Sequence, residues 1–265
     1  MKKIDGHIHT PFCPHGTTDS FESYVERAIS LGYEQITFTE HAPLPNGFID
    51  STPTKDSGMN LSALEDYFYK LTILKDKYKE NISILSGLEI DYIEGFEEET
   101  KKFLNEYGPF IEDSILSVHF LHHQGNWDCL DYSSEVFAEM AQKFGSVDKL
   151  YEQYFRTVLK SVTTDLGPYK PKRIGHITLV RKFQNLYPAK KTFLSEINEI
   201  LLAMKNNQYE LDYNGAGIYK KYCGQPYPTT EIVQKALEYG IKIVYGSDAH
   251  QSRDINQGRQ EMKFL

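Results

Sequence analysis

The sequence predicts an α/β fold built on parallel strands, closed or nearly closed into a barrel. Three observations carry this. Short apolar runs, often β-branched, recur along the chain, each followed by polar residues and then an amphipathic helix. The unit repeats seven times within 265 residues, which suits a barrel better than an open sheet. No Pro/Ser-rich linker or low-complexity tract interrupts the pattern, so residues 1–265 read as one domain. An open, doubly wound sheet is the alternative topology.

The units follow in order. The first apolar run is Met1 to Ile4. A helix is expected from Phe21 to Leu31, because Phe21, Tyr24, Val25, Ala28 and Ile29 recur at helical spacing and Gly32 follows as a stop. Asp19 and Glu22 stand at capping-box spacing before it. QITFT (35–39) reads as the second strand, and Leu61, Leu64, Phe68, Leu71 and Tyr78 mark the next helix. ISILSGLE (82–89) is the third strand. Its helix carries Phe96, Thr100, Phe103 and Tyr107 and is closed by Gly108 and Pro109. SILSVHF (114–120) is the fourth strand. Two helices follow, one over Val136, Phe137, Met140 and Phe144, the other strongly periodic from Val147 to Val162. RIGHITL (173–179) is the fifth strand, with a helix over Phe193, Ile197, Ile200, Leu201 and Met204. YELDY (209–213) is the sixth strand, Glu231 to Tyr239 a helix, and KIVYG (242–246) the seventh strand.

Composition narrows the function. The formal net charge is −8 and no basic stretch of useful length stands out, which argues against nucleic acid as a partner. Three scattered cysteines, Cys13, Cys129 and Cys223, give no disulfide framework. No cationic-then-apolar leader is present, and no apolar run approaches the roughly 18 residues of a membrane span. A soluble, cytoplasmic protein with no membrane partner is expected. Its oligomeric state is left open.

In α/β barrels the active site lies at the carboxyl ends of the strands. His7 and His9 follow the first strand, and Glu40-His41 the second. Glu89 ends the third, His119 the fourth and His176 the fifth; Asp248 and His250 follow the seventh. The sixth ends in Asp212, Tyr213 and Asn214, which are polar but less telling. His15 joins from the first loop, while His122 and His123 stand outside the set and suit a solvent or substrate loop. Taken singly, each residue is as well explained by a core histidine or a hydrogen-bonded acid. Together, at successive strand ends, they suit a centre for two or three metal ions, with neutral imidazoles and few carboxylates. Cys13 is a soft ligand by type but is expected to be a bystander. Three divalent ions would carry six positive charges, against two returned by Glu89 and Asp248. Such a centre should draw a phosphate monoester and acidify a bound water.

The motifs DGHIHT (5–10), PHG (14–16), TEH (39–41), GLEIDY (87–92), SVHF (117–120), GHITL (175–179) and GSDAH (246–250) occur in an order and spacing that resemble the polymerase and histidinol phosphatase (PHP) family along nearly the whole chain. Within it, SVHFL, GHITLVRK and the chain length most resemble the histidinol-phosphate phosphatases. The resemblance implies a distorted (β/α)7 TIM-like barrel with three metals, of the kinds zinc, iron or manganese, at the carboxyl end. It assigns His7, His9, Glu89 and Asp248 to one ion. Glu89 would bridge to a second, shared with His119 and His176, and His15, His41 and His250 would hold the third. The implied activity is hydrolysis of L-histidinol phosphate to L-histidinol and phosphate in histidine biosynthesis, with a metal-activated hydroxide attacking phosphorus. Asp248 or His250 would pass a proton to the leaving group. Arg181 and Arg253 are candidates to grip the phosphate. The stretch 122–135, with Trp127, Asp128, Asp131 and Tyr132, could receive the imidazole and amine, as could Tyr213, Asn214 and Tyr219. The family's TDH reads TEH here, which leaves Glu40 without a certain role. Asp5 either orients a ligand or caps a turn. Another small phosphate monoester, such as a nucleotide or sugar phosphate, is the alternative substrate. A C–N hydrolase is disfavoured because the bridging position is Glu89 rather than a lysine; a metal-storing protein without turnover is the third reading.

Overall fold

The computed structural model describes residues 2–265. Seven strands form one parallel sheet: β1 (Ile4–Ile8), β2 (Gln35–His41), β3 (Ser83–Asp91), β4 (Asp113–Ser117), β7 (Arg173–Ile174), β8 (Glu210–Asn214) and β9 (Ile243–Gly246), paired in that order. An antiparallel hairpin of β5 (Phe120–His123) and β6 (Asn126–Cys129) stands apart from the sheet. Seven helices intervene: α1 (Phe21–Ser30), α2 (Leu64–Tyr78), α3 (Glu97–Tyr107), α4 (Ser134–Phe144), α5 (Val147–Thr163), α6 (Leu194–Asn206) and α7 (Thr230–Glu238). The sheet curls until its edges meet. His9 N donates to Ala249 O at 2.9 Å and Asp248 N to His7 O at 2.7 Å, beside a parallel bridge between Ile8 and Ala249. These two bonds make a nearly closed barrel, as the strand–helix alternation predicts, and they join the first and last strands where the histidines lie.

The helices take their expected places, with local differences. Asp19 does not cap α1. Ser20 does, its Oγ accepting from Ser23 N, while Asp19 turns away to accept from Ser252 N and Oγ. Ser133 and Ser146 cap α4 and α5 in the same way, so hydroxyls satisfy amides that the first turn leaves free. The first strand reaches Ile8 rather than ending at Ile4, which puts His7 inside it; Met1 lies outside the described residues.

Two expected strands are shorter than their apolar runs. The fourth ends at Ser117, whose carbonyl accepts from Tyr92 N; His119 O instead accepts from Leu130 N and starts the hairpin. The fifth is two residues long. Gly175 N still bonds Leu116 O, but the chain then winds into a 3-10 turn, with Leu179 N donating to His176 O. A Cβ at Gly175 would fall on Ser117 Oγ, so glycine is required where the two chains approach.

Inside the barrel, at the amino end of its strands, Arg173 is 1% exposed, paired with Asp113 and donating to Gly6 O at 2.8 Å. A Cβ at Gly6 would collide with its guanidinium. The glycine of DGH therefore makes room for a buried arginine. That arginine plugs the end of the barrel opposite the histidines.

Candidate metal centre

The carboxyl ends of the strands gather the histidines around Glu89, which is 2% exposed near the end of β3. Its two oxygens face different partners. Oε2 lies 3.5 Å from His7 Nε2, 3.6 Å from His9 Nε2 and 3.1 Å from His41 Nδ1. Oε1 lies 3.0 Å from His176 Nε2 and 3.9 Å from His119 Nε2, and accepts from Ser117 Oγ at 2.6 Å. Asp248 Oδ1 closes the first group, 3.2 Å from His9 Nε2 and 3.7 Å from His7 Nε2. Bonds of about 2.0–2.1 Å in a tetrahedron separate ligand atoms by about 3.3–3.4 Å, the spacing found here.

A third group sits at the mouth. His15 Nε2 and His250 Nε2 face each other at 3.2 Å, and the His15 and His41 rings lie 5.0 Å apart. Ligand atoms of His9, Cys13, His41 and His250 also lie within 4.8 Å of one another, so Cys13 is closer to the cluster than a bystander need be.

Three of the deep imidazoles are held from behind by a carboxylate, while His176 Nδ1 is buried without a partner. His7 Nδ1 is 3.1 Å from Asp212 Oδ2, His9 Nδ1 3.4 Å from Glu40 Oε1 and His119 Nδ1 2.7 Å from Asp91 Oδ1. Such backing fixes the tautomer and turns Nε2 inward, the usual arrangement behind a metal-bound histidine. At the mouth the backing is weaker: His15 Nδ1 meets the Asp56 carbonyl at 2.8 Å and His250 Nδ1 the Asp248 carbonyl at 3.1 Å. Glu40 thus has a role, and it also accepts from Thr10 N and His41 N. Asp5 touches no imidazole; it accepts from His7 N and Ser247 N, binding the two ends of the barrel seam.

The residues fit divalent metal ions. Nε2 of His7 and of His9 and Nδ1 of His41 are buried without a hydrogen-bond partner, a costly state unless a cation meets them. The charges point the same way. Burial would raise Glu89, yet the facing His7 and His119 hold it well below the usual carboxylate range. Burial would lower His9 and His119, but Asp248 and Glu40 lift His9 to about 9, and Asp91 and Glu89 lift His119 to about 10. The carboxylates demand positive charge, which cations supply while leaving the imidazoles neutral. His250 and His41 are pushed down by burial and by His9. Asp248 is held well below its usual range against burial, chiefly by His7 and His9. An ionised Asp248 and a neutral His250 suit binding a cation better than donating a proton. Asp248 also has φ +54°, a conformation uncommon for a residue with a side chain, and it packs at the seam.

The centre opens into a cavity of about 510 Å³. Asp131, Tyr132, Lys182, Tyr227 and Asp254 line it with the imidazoles. Neither expected arginine does. Arg181 lines a different pocket, and the Arg253 side chain is 80% exposed, within 3.9 Å of Asp254. Two lysines line the cavity, Lys182 and Lys220, and Lys182 is the one anchored by a carboxylate of its wall. It donates to Asp131 Oδ2 at 2.9 Å and to Asp131 O at 2.6 Å, and that carboxylate raises its pKa against burial. Within 122–135, Asp131 and Tyr132 line the cavity. Trp127 instead packs on Phe48 and Phe96, and Asp128 pairs with Lys143. Of the other expected contacts, Tyr213 bonds Thr230 and Tyr219 bonds Glu261, both away from the cavity, while Asn214 supports Asp248 and Asp212. His122 and His123 sit on the hairpin against Trp127 and Phe144.

Barrel and rim together define a protein with a polynuclear His/carboxylate metal centre. The PHP domain family matches residues 5–216, and the chain belongs to that family. It is 48% identical over 257 residues, 96% of each chain, to histidinol-phosphatase of Bacillus subtilis (strain 168). A solved structure of hisK from Listeria monocytogenes, a candidate histidinol phosphatase, has a TM-score of 0.94 and 40% identity, covering 98% of this chain and 99% of that one. A histidinol phosphate phosphatase (HISK) from Lactococcus lactis subsp. lactis Il1403, solved with zinc, L-histidinol and phosphate, shares the fold. Its TM-score is 0.72 at 22% identity, over 99% of this chain and 93% of that one.

Proposed function

We infer that this chain is a histidinol-phosphate phosphatase, hydrolysing L-histidinol phosphate to L-histidinol and phosphate. The observation that carries the reading is the 48% identity to the Bacillus subtilis enzyme over 96% of both chains. The site's chemistry agrees with it: a metal centre floors a cavity of a size suited to a small phosphate ester.

Three ions are assigned as the family resemblance suggests. His7, His9, Glu89 and Asp248 would hold the first; Glu89, His119 and His176 the second; His15, His41 and His250 the third. An imidazole-rich set with few carboxylates suits zinc, iron or manganese better than magnesium or calcium. Such ions, when bound, lower the pKa of a water and neutralise charge on the phosphate. The protein's own residues do the rest. Asp212, Glu40 and Asp91 keep three imidazoles turned inward. Glu89 ties the first and second groups together through its two oxygens. Lys182, held in place by Asp131, is the side chain we assign to the phosphate, in place of an arginine. Asp131, Tyr132 and Asp254 are the groups at the cavity wall suited to a cationic amine and an imidazole.

We treat residues 1–265 as one domain, because β9, beyond the matched residues, completes the barrel against β1. No helix among the described residues is long and apolar enough to cross a membrane. Three free, buried cysteines suit the reducing cytoplasm, where we place the protein.

The test is phosphate release by protein purified without chelator, from L-histidinol phosphate and from a panel of nucleotide and sugar phosphates, alongside elemental analysis. Preference for L-histidinol phosphate with two to three transition-metal ions per chain is expected. Release from another monoester but not from L-histidinol phosphate would refute the substrate.

A further inference from the structure

A second pocket, of about 560 Å³, lies outside the metal centre. Tyr151, Arg181, Asn185, Lys191, Phe193 and Cys223 are among its walls. Arg181 and Lys182 are neighbours on the 3-10 turn Leu179–Phe183, three and more residues beyond His176, and their side chains part. Lys182 lines the metal cavity and Arg181 lines this pocket.

Two polar groups here lack partners. Among the described residues the arginine ion pairs are those of Arg173 and Arg253. Arg181 has none, and its guanidinium donates no hydrogen bond to a described residue. Glu231 is the acid whose field reaches it, without pairing. Tyr151 is 2% exposed, and its hydroxyl is buried with no hydrogen-bond partner. The buried Tyr151 hydroxyl carries the cost of an unmet donor, and the half-buried Arg181 beside it is an unpaired charge open to the pocket; together they point to a ligand. Lys191 is neutralised by Glu152. The pocket therefore offers one uncompensated positive charge.

The chemistry of the occupant follows. A guanidinium fork matches a carboxylate with two parallel bonds, and a tyrosine hydroxyl adds a third donor. Tyr151 and Phe193 stack with ring centres 5.3 Å apart and form an apolar wall. The pocket is preformed: Gln184 Nε2 and Asn185 Nδ2 both donate to Cys223 O, at 2.9 and 3.3 Å, and pin the turn to the loop at 222–225. We propose that this pocket binds a small organic monocarboxylate with a flat apolar body, and that its occupation modulates the catalytic cavity through the turn shared by Arg181 and Lys182. The binding claim stands apart from the reading of the metal centre; the modulation claim rests on it.

Benzoate serves as probe, on the metal-replete full chain. Saturation-transfer NMR is expected to detect binding that saturating inorganic phosphate does not displace, because phosphate occupies the metal cavity. Affinity should fall at least tenfold in Arg181→Gln and severalfold in Tyr151→Phe, which keeps the ring packing. A benzoate-soaked wild-type crystal should place the carboxylate on Arg181 and the Tyr151 hydroxyl. The KM for L-histidinol phosphate should shift at least twofold at saturating benzoate. No binding, displacement by phosphate, or unchanged affinity in both variants overturns the site. Binding at Arg181 with flat kinetics overturns the modulation. A preparation that binds benzoate at Arg181 but turns over no L-histidinol phosphate sinks the substrate reading and upholds the binding claim.

Discussion

Asp212→Asn removes the charge behind one imidazole while keeping the shape of the side chain. Asp212 is fully buried on β8, and three groups converge on its Oδ2: His7 Nδ1 at 3.1 Å, His176 N at 3.3 Å and Asn214 Nδ2 at 3.3 Å. Asparagine keeps the shape and one carbonyl acceptor, so His7 retains a partner. It loses the charge that makes the His7 ring basic. It also places an amide where Asp212 Oδ1 now has no hydrogen-bond partner, which leaves two N–H groups unmet. Loss of such backing lowers metal affinity by about 10- to 100-fold, or about 1.4–2.7 kcal/mol. The assay is competition for zinc against a chromophoric chelator, read beside thermal unfolding of the metal-free protein. Asp91→Asn should behave alike through His119, because the Nδ1 contact there is shorter, at 2.7 Å. Zinc affinity within twofold of the wild type, in a variant that unfolds as the wild type does, would refute the argument that the Asp212 charge strengthens His7 as a ligand.

Two further outcomes follow from groups beside and away from the centre. Lys182→Met should raise the KM for L-histidinol phosphate by at least about tenfold, the worth of a charged hydrogen bond, while Arg253→Met should leave it within about twofold because that side chain lies in solvent. Steady-state kinetics on both variants separates the lysine from Arg253, the second arginine that the sequence offers. Lys170 Nζ is buried, donates to Val162 O and Thr164 O at 2.7 Å each, and is pushed down by burial to about 8. A folded pKa below the unfolded 10.5 means that charging this lysine costs stability in full below pH 8, and that the cost fades as pH rises from 8 toward 10.5. Measured by urea unfolding, wild type should gain up to about 3 kcal/mol relative to Lys170→Met over that window, and a flat difference would count against it.

The strand ends were readable because the residues there are rare types at fixed places. Histidines and acids at six of seven apolar runs need a reason, and barrel geometry supplies one. The backing acids were harder to see, since a lone Asp near a strand end is unremarkable. Alternation held a signal for one of them: Asp91 is two residues beyond Glu89 on β3, so both side chains face the same way. Asp212 is different, because its role depends on the barrel closing so that β8 comes to lie beside β9 next to β1, and no local pattern encodes that. The error over Arg181 has a local cause. The expected strand ran to Leu179, whereas the chain leaves the sheet after Ile174 and winds into a 3-10 turn. The change of period swings Lys182 inward and Arg181 outward, and apolar composition alone does not distinguish the two paths.

The buried acids also revise the charge of the centre. Counting Glu89 and Asp248 alone makes a three-ion site strongly positive. The structure places five carboxylates within 4.0 Å of an imidazole nitrogen: Glu89, Asp248, Asp212, Glu40 and Asp91. Six charges from three divalent ions then exceed the carboxylates by only one, and with two ions the balance turns negative. The third ion therefore decides whether a phosphate dianion is drawn in. It is also the ion with the poorest support, because His15 and His250 are backed by carbonyls rather than carboxylates and lie at the mouth. Stepwise chelation should remove one ion first, and that loss should raise the KM for L-histidinol phosphate at least about tenfold, before the remaining ions leave. His15→Ala should reproduce this by binding one ion fewer. Elemental analysis at each step, matched to kinetics, checks both. A KM that stays flat while the first ion leaves would show that the phosphate is held by the two deep ions and Lys182, and that the mouth ion plays no part in drawing it in.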